Sequence, residues 1–218
     1  MIEAVIGLVG VVVGSVIAIS KDSWALYRER RRDASYSAIR LICVLEEYAN
    51  KCMDVAEDDG RVLGRPAGMM ESGEEVCEPQ ASTPDPVDYP ADISWRSIDE
   101  TLMHRILALP NKARSTDRYV SACAEHVSPP DYSEAFEPRQ QGYAQLGVEA
   151  LDIVDELRKR YGVSVKSRTE LSDGWDDKKY LVSLLAKFKK RDAERFARRE
   201  AKQVKIKTAT DPAREGNA

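Results

Sequence analysis

Histidine is nearly absent from this chain: His104 and His126 are the only two in 218 residues. That scarcity leaves little for metal chemistry or for proton transfer near neutral pH. Glu100 and His104 are four apart on one helix face, but a carboxylate di-metal bundle needs Glu-x-x-His twice plus two further carboxylates, and that pattern is missing. The four cysteines, Cys43, Cys52, Cys77 and Cys123, contain no CxxC and no regular framework, so neither a zinc site nor a disulfide scaffold is encoded. Cys43 and Cys52 are nine residues apart, which on a helix turns them to opposite faces and denies them a shared metal. Cys123 and His126 are helical neighbours, yet nothing beside them supplies an oxyanion site or a third, orienting group. Strand-like alternation is missing as well. These absences read as a protein that is not an enzyme and carries no cofactor, an enzyme of unknown type being only a second alternative.

One long uncharged run is present. From Ala4 to Ser20 there is no charged residue, and Arg28, Arg30, Arg31 and Arg32 follow shortly after. A helix from Ile2 to Ile19 would be roughly 27 Å long, close to the hydrocarbon thickness of a bilayer. Residues 2–20 are therefore expected to be a transmembrane anchor. Trp24 and Tyr27 fall where amphipathic rings favour the headgroup region, and with the four arginines they form the expected membrane interface. Only Glu3 precedes the run, and Lys21 and the arginines follow it. The positive-inside bias then puts the amino terminus outside and the rest in the cytoplasm. A secretory signal peptide is the rival, with Ala18 and Ser20 as small residues for cleavage, but it asks for a positive start where Met1-Ile2-Glu3 offers a carboxylate. A buried soluble helix is the third possibility. Gly10, Gly14 and Ala18 recur every four residues and share a face suited to close helix association, hence a homodimer through the membrane helix. The other reading of these residues is that glycine is simply common in membrane helices.

The net charge of −4 hides an asymmetry. Asp54 to Glu100 holds 13 acidic residues against 3 basic, whereas Lys178 to Lys207 holds 12 basic against 3 acidic. The two regions either attract each other or serve different surroundings.

Past the anchor, the pattern predicts an all-α body. A first bundle helix over 21–59 buries Ile39, Ile42, Leu45, Ala49, Cys52, Met53 and Ala56, with a second apolar row at Leu41, Val44, Tyr48 and Val55. Residues 60–93, rich in glycine and proline, read as a flexible acidic loop that is largely disordered. Ser97 and Glu100 have capping-box spacing before a short helix that Pro110 stops, and a further helix runs from about Asn111 to Val127. Asp131 and Glu134 start the next helix, which carries Tyr143, Leu146, Ala150, Leu151, Val154 and Leu157 and ends at Gly162. Asp173, Asp176 and Asp177 open the last, whose apolar side is Trp175, Leu181, Leu184, Leu185, Phe188 and Phe196. The bundle is taken to fill 94–203, and 204–218 to be a disordered tail. The whole is expected to be an antiparallel, roughly four-helix bundle continuing from the transmembrane helix.

Two blocks, Ser94-Trp-Arg-Ser-Ile-Asp-Glu-Thr-Leu-Met-His-Arg-Ile-Leu-Ala-Leu-Pro110-Asn and Asp131-Tyr-Ser-Glu-Ala-Phe-Glu-Pro-Arg-Gln-Gln-Gly-Tyr-Ala-Gln-Leu-Gly147, resemble those of a family of small uncharacterised bacterial proteins. The resemblance implies an apolar amino-terminal anchor, an arginine cluster and a helical cytoplasmic body at the bacterial inner membrane. It implies no activity.

The function expected is that of a structural or protein-interaction module, its protein partner unspecified. The alternative is polyanion binding by the last helix through Lys187, Lys189, Lys190, Arg191, Arg195, Arg198, Arg199 and Lys202, which read as distributed around the helix rather than on one stripe. Anionic lipid suits such a helix better than nucleic acid, because interleaved aromatics and a recognised motif are missing.

Overall fold

The computed structural model describes residues 2–125, 127, 133–164 and 176–210; it describes side chains from Ser20 to Gln203 within those spans, except Asp22, Ser133 and Glu134. The chain is all-α. Helix α1 spans Ile2–Glu57, α2 Glu100–Ala124, α3 Ser133–Tyr161 and α4 Asp177–Thr210. Helix α1 has no proline, and no glycine after Gly14, so nothing interrupts its hydrogen-bond ladder before Asp58. Among the described residues no helix is long and apolar enough to cross a membrane. The side chains of residues 2–19, on which the anchor reading of 2–20 stands, lie outside those described.

Helix α3 is the hub. It packs along α1, α2 and α4 and runs antiparallel to all three, as the cross-pairs Glu46–Arg158 and Asp58–Arg139 with α1, Arg105–Glu156 and Lys112–Glu149 with α2, and Lys178–Asp155 and Arg195–Glu137 with α4 require. It follows that the three main helix pairs are antiparallel, as expected, while α1, α2 and α4 are mutually parallel, so that α1 and α2, consecutive in the chain, run in the same direction. The physical reason is the segment 58–99, which carries the chain from the far end of α1 back to the level of its residues 36–40 before α2 begins.

That segment also departs from the disordered acidic loop expected over 60–93. Two short antiparallel hairpins come first, β1 (Arg61–Val62) with β2 (Arg65–Pro66) and β3 (Gly68–Met69) with β4 (Glu75–Val76). A strap follows whose Pro84, Val87 and Ile93 are buried. The strap is fixed by long-range polar contacts: the Ser94 amide donates to Ser37 Oγ at 3.1 Å, and the Tyr36 hydroxyl donates to Asp92 at 2.9 Å. The first hairpin turns on Leu63 and Gly64, both at positive φ (51° and 77°). This is the twist that a two-residue hairpin turn demands.

Helix α2 passes through Pro110 without stopping, so the expected split does not occur. Pro110 has no N–H for the Ile106 carbonyl four residues back. The Tyr89 hydroxyl, brought over by the strap, donates to that carbonyl at 2.6 Å instead. The start of α2 also moves. Its cap is Asp99, whose side chain accepts from the Leu102 amide at 3.2 Å, while Ser97 sits in a single 3-10 turn at Trp95–Ser97 and bonds Ser94 O. Gly162 ends α3 at φ 64°, with the Val163 amide donating to Arg158 O. Asp176 caps α4 through the Lys179 amide.

The core is built from Leu41, Leu45, Cys52 and Val55 of α1, Leu102, Ile106 and Leu109 of α2, and Tyr143, Ile153 and Leu157 of α3, all fully buried. Ile39 and Phe196, expected inside, are 42% and 63% exposed because each lies off the covered face of its helix: Ile39 points away from the face of Ala34, Ala38, Leu41 and Ile42, and Phe196 away from that of Leu181 and Phe188. Gly147 lets α1 and α4 approach α3 closely: a Cβ there would meet Leu181 Cδ1 at 2.9 Å and Cys52 Cβ at 3.3 Å. The expected tail is shortened, since α4 continues through 204–210; residues 211–218, like Trp175, Asp173 and Asp131, lie outside the described residues.

Candidate interaction surfaces

Charged and polar groups inside the body are engaged in holding it together. Asp58 and Arg139 form an ion pair at 2.8 Å with side chains 3% and 8% exposed. The same carboxylate accepts from the amides of Gly60, Gln80 and Ala81, and Arg139 also donates to Ala81 O. Burial pushes the Asp58 carboxyl up, but the donors from Ala81, Gly60, Arg139 and Gln80 outweigh it and hold the group below the ordinary carboxylate range. This knot ties the end of α1, the root of the hairpins and α3 together. A second cluster joins α1, α2 and α3, where the Tyr143 hydroxyl donates to Asp117 and Tyr48 lies beside Cys52. Burial pushes the Cys52 thiol up to about 12, so it stays protonated and inert. The buried Tyr48 hydroxyl has no nitrogen or oxygen partner and faces only the weakly bonding Cys52 thiol. Among the described residues no group of three or more His, Cys, Asp or Glu is arranged to hold a metal ion. His104 is exposed, and His126 lies outside the described residues.

Three outer surfaces remain. The first is a stalk: every described side chain from Ser20 to Asp33 is exposed, and the core begins at Ala34. Fourteen helical residues make the stalk about 21 Å long. Trp24 is 57% and Tyr27 61% exposed, with the Arg28 guanidinium 3.7 Å from the Trp24 ring centroid. Arg30, Arg31 and Arg32 surround the same stalk. Gly10, Gly14 and Ala18 lie on the stretch of α1 whose side chains are outside those described.

The second surface is the outer half of α4. Lys187, Lys189, Lys190, Arg191, Arg195, Arg198, Arg199 and Lys202 are all exposed. The face that buries Leu181 and Phe188 continues at helical spacing as Arg191, Arg195, Arg198, Arg199 and Lys202, while Lys189 and Lys190 point elsewhere. Arg191 and Arg195 share the single carboxylate of Glu137, and the Arg191 guanidinium also lies 4.8 Å from the Phe188 ring centroid. Beyond them α4 outruns the start of α3, and among the described residues no ion pair reaches Arg198, Arg199 or Lys202.

The third surface is the acidic hairpin region, where Glu71, Glu75 and Glu78 are exposed and Arg61 pairs with Glu75 at 3.1 Å. None of the ion pairs among the described residues joins this region to α4, although sequence alone left their attraction open. The parallel course of α1 and α4 was also illegible in the sequence. It sends the basic end of α4 away from the amino-terminal end of α1.

A scan against known protein families matches none, and searches of curated proteins and of solved structures return no match either.

Proposed function

We propose that this chain is a single-pass, membrane-anchored interaction module, held by residues 2–20 in a bacterial inner membrane with its helical body in the cytoplasm. The observation that carries the reading is continuity. One uninterrupted helix leads from an uncharged stretch, through an exposed stalk bearing Trp24, Tyr27 and four arginines, into the core at Ala34. Tryptophan, tyrosine and arginine beside an apolar stretch are what a bilayer interface and its cytoplasmic side select. An anchor rigidly joined to a body fixes the height and orientation of that body above the bilayer. Gly10, Gly14 and Ala18 offer a close-packing face for pairing within the bilayer. The test is alkaline carbonate extraction of membranes containing the full chain, with protease digestion of intact spheroplasts. The chain is expected to stay in the pellet until detergent is added, with the body protected. Full-length protein in the soluble fraction, or a body digested from outside, overturns the reading.

A second reading, polyanion binding by α4, is favoured by the exposure of all eight of its basic candidates. The geometry limits its lipid form: α4 points away from the end of the body that would face the anchor's own bilayer. Binding of the chain to DNA or to anionic vesicles should weaken steeply with salt if this reading holds, and indifference to salt removes it.

A further inference from the structure

We infer that the acidic hairpins are the occupant of the basic extension of α4 within the same molecule, and that they compete there with any external polyanion. Helix α4 begins beside the last turns of α1. Leu181, Leu184 and Leu185 pack with Met53 and Ala56, and the Tyr180 hydroxyl meets the Glu57 carboxylate. The two helices run parallel, so where α1 stops at Glu57 and gives way to the hairpins, α4 continues along the same side of the body. From Leu184 to Lys202 it climbs about another 27 Å. The side that α4 turns to α1 can be followed along this extension. At about 100° per residue, Lys187, Arg191, Arg198 and Lys202 all fall within about 40° of the line through Tyr180 and Leu184, whereas Lys189 lies on the far side. Leu184, Lys187, Lys190, Arg191 and Glu194 line an open cleft here. The row of cations therefore borders the space beyond the end of α1, which is where the hairpins leave the body.

The charges match. The segment from Asp59 to Glu78 carries Asp59, Glu71, Glu74, Glu75 and Glu78, with Arg61 and Arg65 its only cations. Of the four cations in the α4 row, Arg191 alone has an ion pair among the described residues, and its partner is the carboxylate of Glu137. The hairpins are also free to move. No residue from Arg61 to Thr83 is buried, and the segment is held at its root, by the Asp58 carboxylate and by the Glu78 amide donating to Gly60 O at 3.0 Å. A swing about that root breaks no core contact. A tether this short gives an effective concentration on the order of millimolar, enough for a weak multiple ion-pair contact to form. A nucleic acid entering the same cleft meets Glu194 and must displace the acidic hairpins. That competition rests on the polyanion-binding reading of α4; the contact itself does not.

The test uses the full chain in one mild detergent, mixing unlabelled and nitrogen-15-labelled copies and applying a carbodiimide that joins carboxylates to amines. Cross-linked peptide pairs of a single isotope composition are expected between the 71–78 carboxylates and Lys187 or Lys202, and none to Lys189. They should fall at least about threefold by about 0.5 M salt. The variant R198E/K202E should lower the Lys187 links by a similar factor, and K189E should leave them unchanged. The exposed-residue variant E71Q/E74Q/E75Q/E78Q should bind a duplex of about 20 base pairs roughly three- to tenfold more tightly than the wild type at about 50 mM salt. No cross-links, links of mixed isotope composition, Lys189 joined as readily as Lys187, or a duplex bound equally by both chains would overturn the proposal. A duplex bound by neither chain removes the polyanion reading of α4, and the cross-links then decide the contact by themselves.

Discussion

Replacing Tyr89 by phenylalanine removes one oxygen atom and orphans a backbone carbonyl. Ile106 is fully buried, and the residue that would donate to its carbonyl in a regular helix is Pro110, which has no N–H. The Tyr89 hydroxyl, 2.6 Å away, takes that place. A net hydrogen bond is worth about 1 kcal/mol, and stranding the buried acceptor raises the loss to about 2 kcal/mol. In a Pro110→Ala background the alanine N–H satisfies the carbonyl, so the same Tyr89→Phe change should cost only about 0.5 kcal/mol, a coupling of roughly 1.5 kcal/mol. Urea unfolding of the four full-length proteins in one fixed detergent, followed by far-ultraviolet circular dichroism, gives the cycle directly. Equal costs of Tyr89→Phe in both backgrounds would refute the idea that this hydroxyl replaces the missing amide.

Asp58→Asn should destabilise by about 3 kcal/mol at neutral pH, because it leaves the buried Arg139 charge without its partner. Since the Asp58 carboxyl is held below its ordinary value, its contribution is complete above the unfolded-state pKa of about 4 and fades as pH falls below it. The gap between wild type and variant, measured by urea midpoints, should therefore narrow from about pH 4 downward. Tyr48→Phe removes a buried hydroxyl that has no nitrogen or oxygen partner and only the weak Cys52 thiol beside it, and should leave stability unchanged or raise it by up to about 1 kcal/mol; a loss above that size contradicts the reading. Leu63→Asn, at a fully exposed turn residue with φ 51°, should stabilise by several tenths of a kcal/mol, read as a rise in urea midpoint. Thiol labelling of the native chain should reach exposed Cys43 first and buried Cys52 only on unfolding, with mass spectrometry following each site.

Local spacing carried much of the helical body. Leu45, Ala49, Cys52 and Ala56 on α1, and Tyr143, Leu146, Ala150 and Leu157 on α3, are buried at the periodicity their sequence shows. What spacing cannot express is how wide a face the neighbours cover. Ile39 and Phe196 lie at the edge of apolar rows, off the covered faces of α1 and α4, and so are exposed. Order in the acidic segment was illegible for a related reason: it comes from single polar contacts across 22 or more residues, such as the Gln80 amide to Asp58 and the Ser94 amide to Ser37. Pro110 reads locally as a stop, and only the distant Tyr89 converts it into an interior position. The outer face of α4 was partly legible. Its cations are plain in the sequence, but their alignment with the buried face of Leu181 and Phe188 emerges only when that face is known.

The central claim, a bilayer anchor rigidly continuous with the body, makes a distance testable. A donor fluorophore on Cys43, in a Cys77→Ser/Cys123→Ser chain in vesicles carrying headgroup acceptors, should lie about 25–35 Å from the acceptor plane, as an unbroken helix from Ser20 at ordinary tilt requires. Energy transfer that ignores acceptor density, or a distance under about 15 Å as for a helix lying flat on the surface, would contradict it.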